Sequence, residues 1–391
     1  MKKYNFDEVI PRSGTNCIKY DAKEWMFKTD DVLPLWVADT DFRTPDFIVE
    51  AIKKRAEHEI YGYTFKPDSY YNAIIGWMER RHNWSIKKEW ISFSPGVVAG
   101  LTIAIETFSK PGDSVIVQPP VYFPFFDSVK GTKRKLIENP LKIENGRFTF
   151  DFDDLKSKID KNTKLLLLCN PQNPGGMVWT RSELEELSAI CLKHGITVIS
   201  DEIHSDLIFE GHTHIPFSTL SEEAAKNSVV CMAPSKTFNV AGLASSLVII
   251  PEKAKHARYE RALNVGHLGM GNIFGSVALE AAYNHGDEWL EQLMDYLWEN
   301  YLLLEKFMKQ HLPKVKVMKP EATFLIWLDF SAYGMNDEEL MKFTVEKAKV
   351  GLNNGGRFGT GGDGWLRLNI GCPRSVLEEG LERLKTAFCQ I

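Results

Sequence analysis

The feature that most constrains this fold is a series of short, almost wholly apolar segments between residues 90 and 250, separated by segments with helical periodicity. Residues 164–169, 196–200 and 229–232 are apolar at nearly every position, which is typical of strands buried on both faces. Such strands, alternating with helices, predict an α/β fold with a mostly parallel central sheet flanked by helices. Further strands are predicted at 90–93, 114–118 and 246–250, and helices at 46–60, 70–81, 97–108 and 180–194.

The C-terminal part of the chain has a different pattern. A long amphipathic helix is predicted at 287–311, and it is followed in turn by a strand at 322–330, a helix at 337–349, a strand at 365–370 and a helix at 376–389. This mixture is typical of an α+β unit, and we expect the irregular N-terminal residues to pack with it. The sequence therefore predicts a large domain over residues 50–285 and a small α+β domain formed by residues 1–49 and 286–391.

The composition excludes several classes of protein. Of 391 residues, 47 are Lys or Arg and 52 are Asp or Glu, so the net charge is −5 and a basic surface for nucleic acid is not expected. No apolar run reaches the ~18 residues of a membrane span, and the first residues lack the apolar core of a signal peptide. The six cysteines are scattered, which favours free thiols. We expect a cytoplasmic protein that binds no nucleic acid, no membrane and no metal.

Polar groups follow three of the predicted strands: Asn173, Asp201 and Lys236. Because the carboxyl ends of parallel strands meet at one edge of a sheet, these groups should lie close together. Taken singly, they have ordinary explanations as a loop amide, a turn or cap, and a surface lysine. Together they match pyridoxal 5′-phosphate, which requires an amine for a Schiff base, an anion at its pyridine nitrogen and a donor to its phenolic oxygen.

Four motifs extend this match. Residues 170–176 (N-P-Q-N-P-G-G) are similar to an N-P-x-N-P-x-G loop, 201–204 (D-E-I-H) to D-E-x-[YH], 235–242 to S-K-x(5)-G, and 365–371 to a C-terminal arginine segment. With these motifs in the same order over nearly its whole length, the chain resembles the fold-type-I pyridoxal-phosphate enzymes of the class I/II aminotransferase superfamily. The resemblance implies that fold, that cofactor and a small amino-acid substrate.

The resemblance also implies roles for individual residues. Lys236 would form the Schiff base and move the substrate proton, Asp201 would pair with the pyridinium nitrogen, and Asn173 would donate to the phenolic oxygen beside the substrate. Tyr122 would stack on the ring and is a further catalytic candidate. Arg367 would bind the substrate carboxylate, as a planar guanidinium does well.

The phosphate of the cofactor is expected at the start of the helix predicted at 97–108. There the backbone amides of Gly96, Val97 and Val98 would cradle it, since a helix N-terminus favours an anion. Many members of the family use a phosphate-binding arginine where this chain has Ala244. The phosphate would then depend more on the helix amides and on Ser235.

Two further cofactor contacts are implied by the resemblance. Tyr61 would reach the phosphate of a neighbouring subunit, which implies a homodimer with active sites at the subunit interface, although Tyr63 fits the spacing almost as well. His204 would contact the cofactor where many aminotransferases have a tyrosine, and Ala233 stands where many have a serine.

These departures fit one subgroup. Residues 33–42 (L-P-L-W-V-A-D-T-D-F), with the segments around Tyr61, His204 and Lys236, closely resemble the MalY/PatB-type C–S lyases, the cystathionine β-lyase group. The resemblance implies cleavage of L-cystathionine or other S-substituted cysteines to a thiol, pyruvate and ammonia, with Trp36 and Ala38 near the substrate. The alternatives are an aminotransferase and a cofactor-binding regulatory protein with secondary lyase activity.

Overall fold

A seven-stranded sheet with flanking helices forms the centre of the computed structural model, which describes residues 2–391. In this part of the chain the strands are β1 Leu33–Pro34, β2 Ile91–Ser94, β3 Ser114–Val117, β4 Lys135–Glu138, β5 Lys142–Glu144, β6 Arg147–Thr149, β7 Thr163–Cys169, β8 Thr197–Asp201, β9 Ser228–Met232, β10 Ser246–Ile249, β11 Lys316–Val317, β12 Leu325–Asp329, β13 Val350–Gly351, β14 Asn353–Asn354 and β15 Trp365–Asn369. The α-helices are α1 Ile18–Asp21, α2 Lys23–Phe27, α3 Asp46–Ala56, α4 Asp68–His82, α5 Val97–Phe108, α6 Pro124–Gly131, α7 Phe152–Lys158, α8 Arg181–His194, α9 Glu222–Lys226, α10 Lys253–Val265, α11 Ile273–His285, α12 Asp287–His311, α13 Asp337–Phe343 and α14 Arg374–Phe388.

The strand order of the central sheet is β2-β10-β9-β8-β7-β3-β4. Neighbouring strands from β9 to β4 pair in parallel, whereas β10 is antiparallel to both β9 and β2. The middle strands are buried along almost their whole length, as their continuous apolar runs require. The predicted α/β fold with a mostly parallel sheet is confirmed, and each predicted strand of this sheet is correct to within one residue at either end.

Helix α8 shows how local sequence sets these bounds. At its N-terminus the Thr180 hydroxyl accepts a hydrogen bond from the Glu183 amide, and the Glu183 carboxylate accepts one from the Thr180 amide. This reciprocal arrangement satisfies two amides that have no partner within the helix. At the other end Gly195 adopts φ 66°, a left-handed conformation that glycine enters without steric cost.

Some predicted elements differ from those observed. The helix predicted at 46–60 ends at Ala56, because the residues that follow are exposed and the Arg55 guanidinium bonds to the carbonyls of His58 and Ile60. The helix predicted at 337–349 is regular only to Phe343 and continues as a π-helical turn. Helices α6, α10 and α11, strand β4 and the β5–β6 hairpin were not predicted from the sequence. In α10 the apolar periodicity is weak, since its buried residues are only Tyr259 and Leu263.

A second sheet, in the order β11-β12-β15-β14, is antiparallel and is built by the C-terminal part of the chain. Strand β1 pairs in parallel with β13, so the N-terminal segment joins this part of the structure. The division into residues 50–285 and residues 1–49 plus 286–391 stays a prediction, and its limit between residues 49 and 50 falls inside α3.

Each helix within residues 2–391 is too short or too polar to cross a membrane. The six cysteines are free; four are buried, Cys17 is partly buried and Cys389 is exposed.

Candidate active site

Strands β7, β8 and β9 end side by side, and the loops that follow them meet at one cavity. Cys169 on β7 pairs with Asp201 on β8, which pairs in turn with Cys231 on β9. The cavity has a volume of about 220 Å³. Of the residues predicted to form a site, those that line it are Ala38, Gly96, Val97, Val98, Tyr122, Asn173, Asp201, His204, Ser235 and Lys236. The amide, the carboxylate and the lysine that the sequence placed at one sheet edge are therefore neighbours in space.

Lys236 supplies an amine whose proton is easily lost. Its Nζ donates a hydrogen bond of 2.6 Å to the Ala38 carbonyl, in the segment between β1 and α3. Burial lowers the pKa of Lys236 from 10.5 to about 8, although the charges of Asp39 and Asp201 oppose that shift. About half of this amine is therefore neutral, and nucleophilic, near pH 8, whereas an ordinary lysine is almost wholly protonated there.

Asp201 is a buried carboxyl group at the end of β8. Its Oδ1 accepts a hydrogen bond of 3.1 Å from the Ile203 amide. Burial raises the pKa of Asp201 to about 7, while the Ile203 amide and the charge of Lys236 act in the opposite direction. A carboxyl group in this environment favours a cationic partner, such as a protonated ring nitrogen.

Helix α5 begins at the cavity, at the place where the sequence predicts an anion cradle. Gly96 is its N-cap, and the first-turn amides of Val97 and Val98 have no acceptor within the helix. Ser245, which the sequence analysis missed, also lines the cavity, and its hydroxyl is buried without a hydrogen-bond partner in residues 2–391. Over the same residues Lys236 is the only Lys or Arg in the lining, so an anion at α5 must be held mainly by amides and hydroxyls.

Arg367, on β15, contacts the cavity wall through Asn173. Its Nη1 donates to the Asn173 Oδ1 at 2.9 Å, and its Nη2 donates to Asn353 Oδ1 at 2.6 Å and to the Trp36 carbonyl at 3.0 Å. The Nε is buried without a partner among the described residues. Burial lowers the pKa of Arg367 to about 10, which leaves the guanidinium charged at neutral pH.

Tyr122 and His204 are neutral groups in the cavity wall. Burial raises the pKa of Tyr122, so the phenol keeps its proton. Burial, followed by the charges of Lys236 and Arg367, lowers the pKa of His204 well below 6.5. The His204 Nε2 is buried without a partner in the described part of the chain. It is therefore available to a ligand.

Three residues predicted to belong to the site lie outside the cavity lining: Arg367, described above, Trp36 and Tyr61. The Trp36 ring packs edge-on against Phe27 at 5.5 Å between centroids, and its Nε1 donates to the Lys19 carbonyl. The Trp36 ring is thus not part of the cavity lining, and its contact with the substrate stays a prediction. Tyr61 is 55% exposed and its hydroxyl donates to the Ala56 carbonyl, whereas Tyr63 is 96% exposed.

Two polar residues near the site were also missed by the sequence analysis. Asp206 follows the D-E-I-H motif and binds Thr237, and Asn239 follows Lys236 and binds the segment at Thr40 and Phe42. Their position in the sequence could have identified them. Asp206 lies two residues beyond the D-E-I-H motif, and Asn239 lies three residues beyond Lys236.

Comparison with known proteins identifies the family. The profile of "Aminotransferase class I and II" matches residues 30–384. Cystathionine beta-lyase PatB of Bacillus subtilis (strain 168) is 48% identical over 385 residues, covering 98% of this chain and 100% of that protein. Protein MalY of Escherichia coli (strain K12) is 34% identical over 389 residues, covering 98% of this chain and 99% of MalY.

A solved structure is similar over the whole chain. Cystalysin from Treponema denticola, whose crystal structure contains a pyridoxal 5′-phosphate cofactor, superposes with a TM-score of 0.96 at 36% identity, covering 100% of both chains. The resemblance inferred from the sequence motifs is confirmed by these matches. The chain belongs to the aminotransferase class I and II family, in the group that contains PatB and MalY.

Proposed function

We propose that this protein is a pyridoxal-phosphate-dependent C–S β-lyase that cleaves L-cystathionine or related S-substituted cysteines to a thiol, pyruvate and ammonia. The observation that carries the proposal is the presence of both Lys236 and Asp201 in the lining of one cavity, in a chain 48% identical to a cystathionine β-lyase over its full length. Within this family the same residues would also serve transamination. The choice of a lyase over an aminotransferase therefore rests on the similarity to PatB.

Pyridoxal phosphate fits the residues that line the cavity. Asp201 is a buried carboxyl group suited to a ring nitrogen cation, and Lys236 is an amine of lowered pKa. The unpartnered His204 Nε2 and Ser245 hydroxyl are buried polar atoms that a ligand would satisfy. When bound, the cofactor supplies an electron sink for the carbanion at the substrate α-carbon.

The remaining roles fall to side chains and amides of this chain. The guanidinium of Arg367 binds the α-carboxylate of the substrate, and Asn173 is held beside it by their 2.9 Å hydrogen bond. Neutral Lys236 Nζ takes the α-proton and afterwards returns a proton to the departing sulfur, a role that suits a group with a pKa near the working pH. The amides at the start of α5 would hold the phosphate of the cofactor, and the Tyr122 ring in the cavity lining would lie against its ring.

We propose two further properties. Ile60, Tyr61, Tyr63 and Phe65 are exposed apolar side chains in one segment, and exposed patches of this kind mark protein interfaces. They support a homodimer in which Tyr61 completes the neighbouring active site. The six free cysteines support a cytoplasmic location, where thiols stay reduced.

The decisive experiment measures pyruvate release from L-cystathionine by the cofactor-loaded protein, with no keto acid added and with Lys236→Ala as the control. Pyruvate formation that disappears in the variant supports the lyase. A second candidate, an aminotransferase, is favoured by the family profile over residues 30–384. Absence of pyruvate, with conversion of the bound aldehyde to its amine by an amino acid, would overturn the lyase in favour of that candidate.

A further inference from the structure

A buried carboxylate that plays no part in the proposed reaction lies outside the cavity lining and contacts the residue that follows Lys236. Asp206, in the loop after β8, is 8% exposed and accepts hydrogen bonds from three side chains. Its Oδ1 accepts from Trp77 Nε1 at 3.0 Å and from His82 Nε2 at 2.9 Å, and its Oδ2 accepts from Thr237 Oγ1 at 2.7 Å. The three donors are themselves buried.

These contacts keep Asp206 charged. Burial alone would raise the pKa of Asp206, but the hydrogen bonds and charge of His82, with the bonds from Thr237 and Trp77, lower it below its ordinary value. An ionised acceptor makes its hydrogen bonds shorter and stronger than a neutral one would. Asp206 is therefore a fixed anion that holds its three partners firmly.

The position of Thr237 gives this cluster a link to the chemistry. Thr237 follows Lys236 directly in the loop after β9, whereas Asp206 shares the loop after β8 with His204, immediately beyond Asp201. The bond between Thr237 and Asp206 thus joins the loop that bears the amine to the loop that follows the carboxylate. Trp77 and His82, both on α4, hold Asp206 from a third element.

We propose that Asp206, acting through Thr237, is a positioning residue that fixes Lys236 relative to Asp201. The proposal rests on the function proposed above. The charged groups that act on Lys236 are Asp39, Arg367 and Asp201. A small displacement of the Lys236 loop changes all three distances, and with them the ease with which its amine gains or loses a proton. Displacements of about 1 Å at a reacting group can cost roughly 100-fold in rate.

The test compares two single hydrogen bonds to the same carboxylate. Thr237→Val removes the bond to the Lys236 loop and keeps the size of the side chain, whereas Trp77→Phe removes a bond on the other side of Asp206. Each cofactor-loaded variant is assayed for kcat, for KM, for melting temperature and for the pH midpoint of the absorbance change of bound pyridoxal phosphate. Thr237→Ser restores the hydroxyl and serves as the rescue.

Thr237→Val is expected to lower kcat by roughly tenfold or more, with a smaller change in KM, and to move the pH midpoint. Trp77→Phe should lower the melting temperature but leave kcat and the midpoint close to those of the unaltered protein, and Thr237→Ser should resemble the unaltered protein. Equal effects of Thr237→Val and Trp77→Phe on all four quantities would overturn the proposal and leave Asp206 a purely structural group.

The spectroscopic measurement separates this proposal from the proposed function. If the unaltered protein released no pyruvate, the lyase would fail, but the pH midpoint would still report whether Thr237 positions Lys236. If Thr237→Val failed to retain cofactor, Asp206→Asn, which keeps an acceptor without the charge, would take its place. An unmoved midpoint in that variant would contradict the proposal.

Discussion

Asn239 and Thr40 exchange two hydrogen bonds across the edge of the active site. The Asn239 Nδ2 donates to the Thr40 carbonyl at 2.9 Å, and the Thr40 amide donates to the Asn239 Oδ1 at 3.2 Å. Nδ2 also donates to the Phe42 carbonyl at 3.1 Å. The Asn239 side chain therefore joins the loop that contains Lys236 to residues 38–42. Lys236 itself donates a hydrogen bond to the carbonyl of Ala38 in the same segment.

Removing the Asn239 side chain should destabilise the protein measurably. Asn239→Gly leaves three backbone groups without their partner, and we expect a loss of about 1–3 kcal/mol in the free energy of unfolding, measured in urea. Asn239→Ala should lose about 1 kcal/mol more, because Asn239 has φ 58° and alanine is strained in that left-handed conformation. Equal stability of Asn239→Gly and the unaltered protein would show that these hydrogen bonds contribute nothing.

The lowered pKa of Lys236 predicts how cofactor uptake depends on pH. Only the neutral amine adds to an aldehyde, and its fraction rises with pH until the pKa of about 8 is passed. Uptake of pyridoxal phosphate by protein stripped of its cofactor, followed by absorbance, should therefore rise about tenfold per pH unit below that value and then level off. A surface lysine would level off only near pH 10.5.

A charge variant sharpens this measurement. The negative charge of Asp39 raises the pKa of Lys236, so Asp39→Asn should move the midpoint to lower pH. Asp31→Asn is the matched control, since Asp31 is exposed and pairs with Lys349. A midpoint that moved upward in Asp39→Asn, or equally in both variants, would refute this electrostatic account.

Arg367 should not tolerate replacement by lysine. A lysine offers no planar fork, so Arg367→Lys cannot bind Asn173, Asn353 and a substrate carboxylate together. We expect KM for L-cystathionine to rise by roughly 10–100-fold, corresponding to the loss of one charge-assisted hydrogen bond. The exposed Arg357 provides the control, because Arg357→Lys should leave KM nearly unchanged. Similar KM values for the two variants would remove Arg367 from the substrate site.

The two exposed tyrosines can be told apart by removing one hydroxyl at a time. If Tyr61 reaches the phosphate in a partner subunit, Tyr61→Phe should raise the dissociation constant of pyridoxal phosphate by about tenfold, as expected for one hydrogen bond to a charged group. Tyr63→Phe should have little effect. The measurement is a fluorescence titration of stripped protein with the cofactor, and the reverse order of the two variants would assign the contact to Tyr63.

The sequence predicted those parts of the molecule that depend on local pattern. Continuous apolar runs identify β7, β8 and β9, and because parallel strands end at one edge, their loops bring Asn173, Asp201 and Lys236 together. The same three groups predicted the cofactor, whereas the reaction came only from the resemblance, and the family and its members support both.

Contacts between distant segments were not predictable in the same way. The environment of the Trp36 ring depends on how α2 packs, and the partners of Asp206 come from α4 and from the loop after β9. The exposed segment after Ala56 resembled a helix because Ile60, four residues further on, continues the helical spacing. Nothing local in the sequence shows that Ile60 faces away from the core.

Cys169, Asp201 and Cys231 occupy paired positions on β7, β8 and β9. The position of Asp201 in the active site therefore depends on the alignment of these three strands. Side chains alternate between the two faces of a strand, so a slip of β8 by one place would exchange Asp201 for Ser200 or Glu202 at the cavity. Glu202 is instead anchored by Ser200, His214 and the Phe217 amide. Retention of bound cofactor therefore reports correct alignment of these three strands, and it can serve as a sensitive marker of native refolding.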